Sequence, residues 1–103
     1  MDIYICVPVF NGYDLLNVAL TSAENSTMKP TGYYVMNNGL EDYVHPDPII
    51  ANKTTVIRTG ENLGCSKSWN WFIKNVPQLR IIINNDIEFF SDTIEKIVNG
   101  YLS

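Results

Sequence analysis

Arg80-Ile-Ile-Ile-Asn-Asn-Asp-Ile-Glu88 is the stretch that decides the fold. Ile81, Ile82 and Ile83 form a β-branched apolar run without polar alternation. That pattern belongs to a strand buried on both faces, as in a parallel sheet covered by helices. The run passes straight into Asn84, Asn85, Asp86 and Glu88, where such a strand leaves the core. Open α/β sheets bind ligands at the carboxyl ends of their strands. Oxygen-bearing side chains gathered there suit a hard divalent cation carrying a phosphate. The same residues also suit a turn, since Asn and Asp bond their own backbone and tolerate unusual dihedrals. Asp86 is equally a residue type that caps a following helix. Both readings stand at this level.

Working outward, Ile3-Tyr-Ile-Cys-Val-Pro-Val9 is a first strand, bounded by the turn pair Asn11-Gly12. Pro8 is tolerable near its end because a strand terminus can do without one donor. From Tyr13 to about Ser26, the residues Leu16, Ala19, Leu20 and Ala23 recur at helical spacing. Lys29-Pro-Thr-Gly32 breaks that helix, and Tyr33-Tyr-Val-Met36 forms a second strand ended by Asn37-Asn-Gly39. Leu40 to Lys53, with Pro46 and Pro48, reads as irregular. Thr54-Thr-Val-Ile-Arg58 is a third strand, followed by Gly60-Glu-Asn-Leu-Gly64. A second helix starts near Cys65 or Ser66 and runs to about Val76, stopped by Pro77, with Trp69, Phe72, Ile73 and Val76 on its apolar side. After the isoleucine strand a last helix starts near Ser91 or Asp92, with a buried stripe of Ile94, Ile97, Val98, Tyr101 and Leu102. This alternation predicts a single α/β domain over residues 1–103, a Rossmann-like, mostly parallel sheet flanked by helices with right-handed crossovers.

Composition narrows the function. Hydrophobic residues make up 46% and charged residues 17%, so the chain is globular rather than disordered. The net charge is −4 and the seven Lys and Arg residues are scattered, which argues against a nucleic-acid binder. Two cysteines, Cys6 and Cys65, are too few for a disulfide scaffold and lack metal-ligand spacing. Cys6, inside an apolar run, is expected to be a buried small hydrophobe. Cys65 has no His or Asp companion that would make it a nucleophile. The N-terminal apolar stretch is short and interrupted by Pro8, unlike a signal peptide. No run approaches the ~20 apolar residues of a bilayer span. The expected setting is the reduced cytoplasm, where the sequons Asn25-Ser-Thr27 and Asn52-Lys-Thr54 go unused.

Three loops should converge on one edge of the sheet: Phe10-Asn-Gly12, Asn37-Asn-Gly39 and Asn84-Asn-Asp86. Between them lies Glu61-Asn-Leu-Gly64 at the start of the second helix, where free backbone donors and positive partial charge favour a phosphate. A base, a ribose, a diphosphate and a metal could all be served along this edge.

These motifs, in this order and spacing, carry a resemblance. Val7-Pro-Val-Phe-Asn-Gly12, Val35-Met-Asn-Asn-Gly39, Glu61-Asn-Leu-Gly64 and Ile83-Asn-Asn-Asp-Ile-Glu88, with helices between, cover nearly the whole chain. The chain resembles the N-terminal, nucleotide-sugar-binding half of a family-2 glycosyltransferase with the GT-A fold. The resemblance implies that Pro8 and Phe10 line a nucleoside pocket. Asn37 stands where many members carry an Asp that accepts a hydrogen bond from the base; its carbonyl would accept from uracil or thymine more weakly than a carboxylate. Asn38, Asn62, Gly64, Lys67, Asn84 and Asn85 are implied as further nucleotide-sugar contacts. Asp86 matches the last acid of an Asp-any-Asp motif that holds Mn²⁺ or Mg²⁺ against the diphosphate, with Asn84 in place of the first acid. One carboxylate leaves such a metal leaning on phosphate oxygens and waters, so its affinity without nucleotide should be low.

The resemblance further implies an inverting transfer of a glycosyl group to a glycan or other hydroxyl acceptor. It places the catalytic base in a C-terminal half beyond Ser103, so no residue here is expected to be catalytic, Glu88 included. The chain would then be part of a larger domain, and apolar surface exposed in such a portion could be covered by dimerisation. A different reading remains beside it: a non-catalytic nucleotide-binding or protein-interaction module with a flavodoxin-like fold. Other residues have plainer expectations. His45, with no second His or Cys nearby, reads as a solvated loop residue. Lys67 also suits an ordinary solvated helix lysine. Trp69 and Phe72 should face the core, leaving Trp71 exposed for a sugar or a docking surface. Asp42 and Asp47 read as loop solubility.

Overall fold

The computed structural model describes residues 2–60, 64–76 and 79–102, the side chain of Cys65 excepted. Asn62 and Pro77 therefore lie outside the described residues. Strands and helices alternate as β1 (Ile3–Val9), α1 (Tyr13–Glu24), β2 (Gly32–Asn37), α2 (Pro48–Asn52), β3 (Thr54–Arg58), α3 (Gly64–Asn75), β4 (Leu79–Ile82) and α4 (Thr93–Leu102). The four strands form one parallel sheet in the order β3-β2-β1-β4. The expected α/β class, with a parallel sheet flanked by helices, is what the chain adopts.

The strand order explains the layering. The chain steps from β1 through β2 to β3 in one direction, then returns past β1 to place β4 on its other side. Right-handed crossovers therefore put α1 and α2 on one face and α3 on the opposite face. Packing follows that rule. Ile3, Ile5, Val7 and Val9 of β1 join Leu16, Leu20 and Ala23 of α1, Ile50 of α2, and Ile94 and Val98 of α4 in one core. Cys6 and Met36 meet Phe72 of α3, and Val76 just past its end, in the second. Leu16, Ala19, Leu20 and Ala23, the helical stripe legible in sequence, are all fully buried.

Pro8 sits in the interior strand β1, yet the ladder loses nothing. Ile83 N–H donates to the Cys6 carbonyl (2.9 Å) and Asn38 N–H to the Val9 carbonyl (2.7 Å), so alternate residues address β4 and β2. Pro8 turns its missing N–H toward β4, where pairing has already stopped at Cys6 and Ile82.

Several expectations need correction. The isoleucine strand is not buried on both faces: Leu79 to Ile82 are half-buried because β4 is the sheet edge. Residues 48–52 form a short helix rather than irregular chain, since Asp47 Oδ1 accepts from Ile49 N–H (2.9 Å) and Pro48 occupies the first turn. The inward line is Ser68 and Phe72 of α3 with Val76 just beyond its end. Trp69 lies off that line and is 39% exposed, whereas Trp71 packs edge-on against Phe72 at 6.0 Å. In α4 Ile94 and Val98 are buried, but Ile97, Tyr101 and Leu102 are exposed. His45 is buried rather than solvated, its Nδ1 accepting from Asp47 N–H (2.9 Å) and its Nε2 near Thr21 Oγ1 (3.1 Å). Asp42 pairs with Arg58, so neither it nor the capping Asp47 is merely a solubilising loop residue.

Candidate functional site at the sheet switch point

Where the strand order reverses, the chain leaves β1 toward β2 on one side and the crossover from β3 delivers β4 on the other, and a crevice opens beyond the carboxyl ends of β1 and β4. A cleft of about 500 Å³ occupies that place. Pro8 to Gly12 line it from the end of β1 and Asn84 to Asp86 from the end of β4, with Asn38 beyond β2 and Gly64 opening α3. The volume falls within the usual range for small-molecule sites. The predicted convergence of the three strand-end loops and the helix start is therefore present at Gly64, residues 61–63 lying outside the described residues.

The carboxamides around the cleft divide into two kinds. Asn37 is fully buried: its Oδ1 accepts from Tyr13 Oη–H (2.9 Å) and Gly39 N–H (3.1 Å), and its Nδ2 donates to the Glu41 carbonyl (2.7 Å). It does not line the cleft. Its bonds draw the 37–41 turn against Phe10 and Tyr13. A β-carbon on Gly39 would collide with the Phe10 carbonyl oxygen and the Tyr13 hydroxyl, so only glycine fits there. Asn38 is also buried, donating to Ser68 Oγ (3.2 Å) and accepting from Thr59 Oγ1–H (3.0 Å). Ser68 Oγ–H donates in turn to the Gly64 carbonyl (3.0 Å), so the end of β2 fixes the first turn of α3 at the cleft. Asn85 is half-buried, its Nδ2 donating to the carbonyls of Asn11 (3.0 Å) and Gly12 (3.3 Å). That bridge clasps the two loops on either side of the switch point. Gly12, at φ 73, opens α1 in the left-handed region beside that same Nδ2.

What remains open to a ligand is a smaller set. Phe10 is 52% exposed and lines both the main cleft and an adjoining hollow of about 210 Å³ with Tyr13, Leu40 and Glu41. Asn84 and Asp86 are exposed on the opposite wall. Gly64 is exposed at the N-terminus of the twelve-residue α3. Lys67 is exposed in that helix's first turn without lining the cleft. Asn11 belongs to a loop expected at this edge, whereas Tyr13, Leu40 and Glu41 carry no sequence signal for it, and nothing in periodicity places Leu40 beside Phe10.

The donor set limits what could be held. Among the described residues, no three His, Cys, Asp or Glu side chains gather to hold a metal ion. Asp86 stands with carboxamides rather than acids, which suits a cation brought in by a ligand's own phosphates and not a protein-built cage. Burial pushes the Cys6 thiol up to about 12, with Arg80 pulling weakly against it, so that side chain is inert rather than nucleophilic.

No family model and no curated protein matches the chain. Solved structures do. The crystal structure of residues 1–349 of Staphylococcus aureus TarS superposes with a TM-score of 0.73 at 16% identity, covering 96% of this chain and 32% of that one. A second S. aureus TarS crystal structure gives a TM-score of 0.75 at 17% identity, covering 96% of this chain and 19% of that one. The likeness shows the fold, a GT-A-like α/β arrangement, and the chain spans a third or less of the proteins it matches. Among the described residues no helix is long and apolar enough to cross a membrane.

Proposed function

We propose that the chain is the donor-binding portion of a glycosyltransferase, taking a nucleoside diphosphate sugar with Mg²⁺ or Mn²⁺ for transfer of the glycosyl group to a hydroxyl acceptor. The observation that supports this most is the cleft itself. An exposed aromatic ring, a helix N-terminus and an exposed carboxylate share the switch point of a parallel sheet.

The roles follow from the chemistry of each group. Phe10 offers a face on which a nucleobase stacks, with Pro8 forming the floor beside it. The first turn of α3 offers backbone donors and positive partial charge to a phosphate, and Lys67 adds a full charge nearby. Asn84 offers a carboxamide to the phosphate or sugar. Asp86 would hold the metal together with the diphosphate and water. When bound, the metal supplies charge neutralisation for the leaving diphosphate. Asn37, Asn38 and Asn85 serve the ligand indirectly, by fixing Phe10, α3 and the Asn11-Gly12 loop. Deprotonation of the acceptor hydroxyl is assigned to none of the described residues. The setting is the reduced cytoplasm, in which Cys6 persists as a thiol.

Calorimetry with UDP, dTDP and GDP, with and without Mn²⁺, tests the reading. Metal-dependent binding of at least one nucleotide, weakened about tenfold or more by Asp86→Ala, is expected. Affinity that ignores both the metal and Asp86 would remove the carboxylate from the site. One observation favours a second reading, a plain interaction module: three of the carboxamides first attributed to ligand binding are engaged within the protein. Silence from all three nucleotides would favour that reading.

A further inference from the structure

We infer that Glu41 is the residue that reads the nucleobase, and that the base it selects is guanine, seated in the hollow beside Phe10. The inference rests on the donor-binding reading and narrows it. That hollow, about 210 Å³, is lined by Phe10, Asn11, Tyr13, Leu40 and Glu41. It joins the main cleft through Phe10 and Asn11, which line both, whereas Gly64 and Asp86 line the cleft alone. A nucleoside diphosphate therefore divides between them, with its phosphates toward α3 and Asp86 and its base in the hollow. Phe10 and Leu40, both exposed, give the base apolar walls.

Most polar groups of the hollow are already taken. Tyr13 Oη–H donates to Asn37 Oδ1 (2.9 Å), and the Glu41 carbonyl accepts from Asn37 Nδ2 (2.7 Å). The Leu40 carbonyl accepts from Arg58 Nη2 (3.1 Å) and the Asn11 carbonyl from Asn85 Nδ2 (3.0 Å). Arg58 also pairs with Asp42, the acid next to Glu41. The Glu41 carboxylate is left with no hydrogen-bond or ion-pair partner among the described residues. Its backbone is nonetheless held, so Asn37, expected to read the base, instead positions the residue that does.

An ionised carboxylate only accepts, through two oxygens side by side. Guanine presents two adjacent donors, N1–H and its 2-amino group, and can pair with it bidentately. Uracil and thymine present one N–H between two carbonyl oxygens, which a carboxylate repels. Adenine and cytosine place a ring-nitrogen acceptor beside the amino group. The larger purine ring also covers more of Phe10. Because Glu41 is exposed, water competes and the preference is modest, about tenfold.

Calorimetry in Mn²⁺ with GDP, UDP and inosine diphosphate, which lacks the 2-amino group, tests the inference. GDP is expected to bind about tenfold or more tighter than the other two. Glu41→Gln should bring GDP down to the level of UDP while leaving UDP affinity unchanged, which also reports an intact site. Equal affinities, a preference for UDP, or a GDP preference that survives Glu41→Gln would overturn the inference and leave the donor-binding reading standing. Silence from every nucleotide would remove that reading and this inference with it.

Discussion

Two asparagine pairs stand at matching stations of two parallel strands and do opposite things. Asn37 ends β2, an interior strand, and Asn38 follows it; both are buried with their side chains bonded into neighbouring segments. Asn84 and Asn85 follow β4, the edge strand; Asn85 clasps the first loop, while Asn84 and the adjacent Asp86 stay open. Residue type is the same, so position in the sheet sets the role. An interior strand end is enclosed by the loops on either side, and a carboxamide there must spend its donors and acceptors on protein. An edge strand end has one neighbour, and part of its polar cluster remains available to a ligand.

The contrast breaks first at Gly39, where no side chain can be accommodated between Phe10 and Tyr13. Gly39→Ala is expected to cost about 3 kcal/mol or more in urea unfolding, because the colliding atoms include backbone; a cost under about 1 kcal/mol would show that the 37–41 turn yields easily. Asn37→Asp comes next. At neutral pH a carboxylate oxygen would face the Glu41 carbonyl in place of a donor, costing about 2–3 kcal/mol. The sign with pH is opposite to that of an ordinary acid. Burial and the carbonyl raise the folded-state pKa of the new carboxyl, so the variant regains stability as pH falls and the proton returns. Equal deficits at pH 7 and pH 4 would contradict that placement.

Glu24 extends the contrast to a buried charge with full satisfaction. Burial alone would raise its carboxyl, but hydrogen bonds from Lys53 Nζ (2.8 Å) and Tyr33 Oη (2.7 Å), with the Lys53 charge, outweigh it and hold the group below its ordinary value. A depressed folded-state pKa gives stability that is complete above the usual carboxylate range and lost as pH falls through the lowered value. Tyr33→Phe should cost about 1 kcal/mol at neutral pH and flatten the acid limb of the stability curve. The smallest effects belong to the open residues. Asn84→Ala and Asp86→Ala should leave unfolding within about 0.5 kcal/mol of wild type, while altering nucleotide affinity. A larger loss of stability would mean that their exposure conceals a structural bond.

The same contrast explains what the sequence could show. The α1 stripe of Leu16, Ala19, Leu20 and Ala23 was legible because a helix packed along its whole length on a sheet repeats its burial at every turn. Thr54–Arg58 was legible as a strand with its observed bounds. The edge was not legible. Ile81 to Ile83 have the composition of an interior strand, and nothing local reports that β4 has a neighbour on one side only. Trp69, Ile97 and Tyr101 share that difficulty: their helical spacing suits a core, yet all three are exposed. The Asp47-Pro48 start of α2 was a real local signal, but five residues are too few for periodicity to support it. His45 was misjudged because, apart from the nearby Asp47 N–H, its partners come from α1, more than twenty residues away. At the site, the converging loops were legible from strand order. Which asparagines face the cleft was not, since that depends on partners such as Tyr13 and Ser68 that three-dimensional packing supplies.

The most direct test of the switch-point cleft is a backbone and side-chain amide NMR titration of the chain with UDP and Mg²⁺. The account predicts shift changes concentrated at Phe10, Asn11, Gly12, Gly64, Asn84 and Asp86, with the side-chain amide of Asn84 moving more than that of Asn37. Shifts confined to residues away from this cleft, or none at millimolar nucleotide, would contradict it.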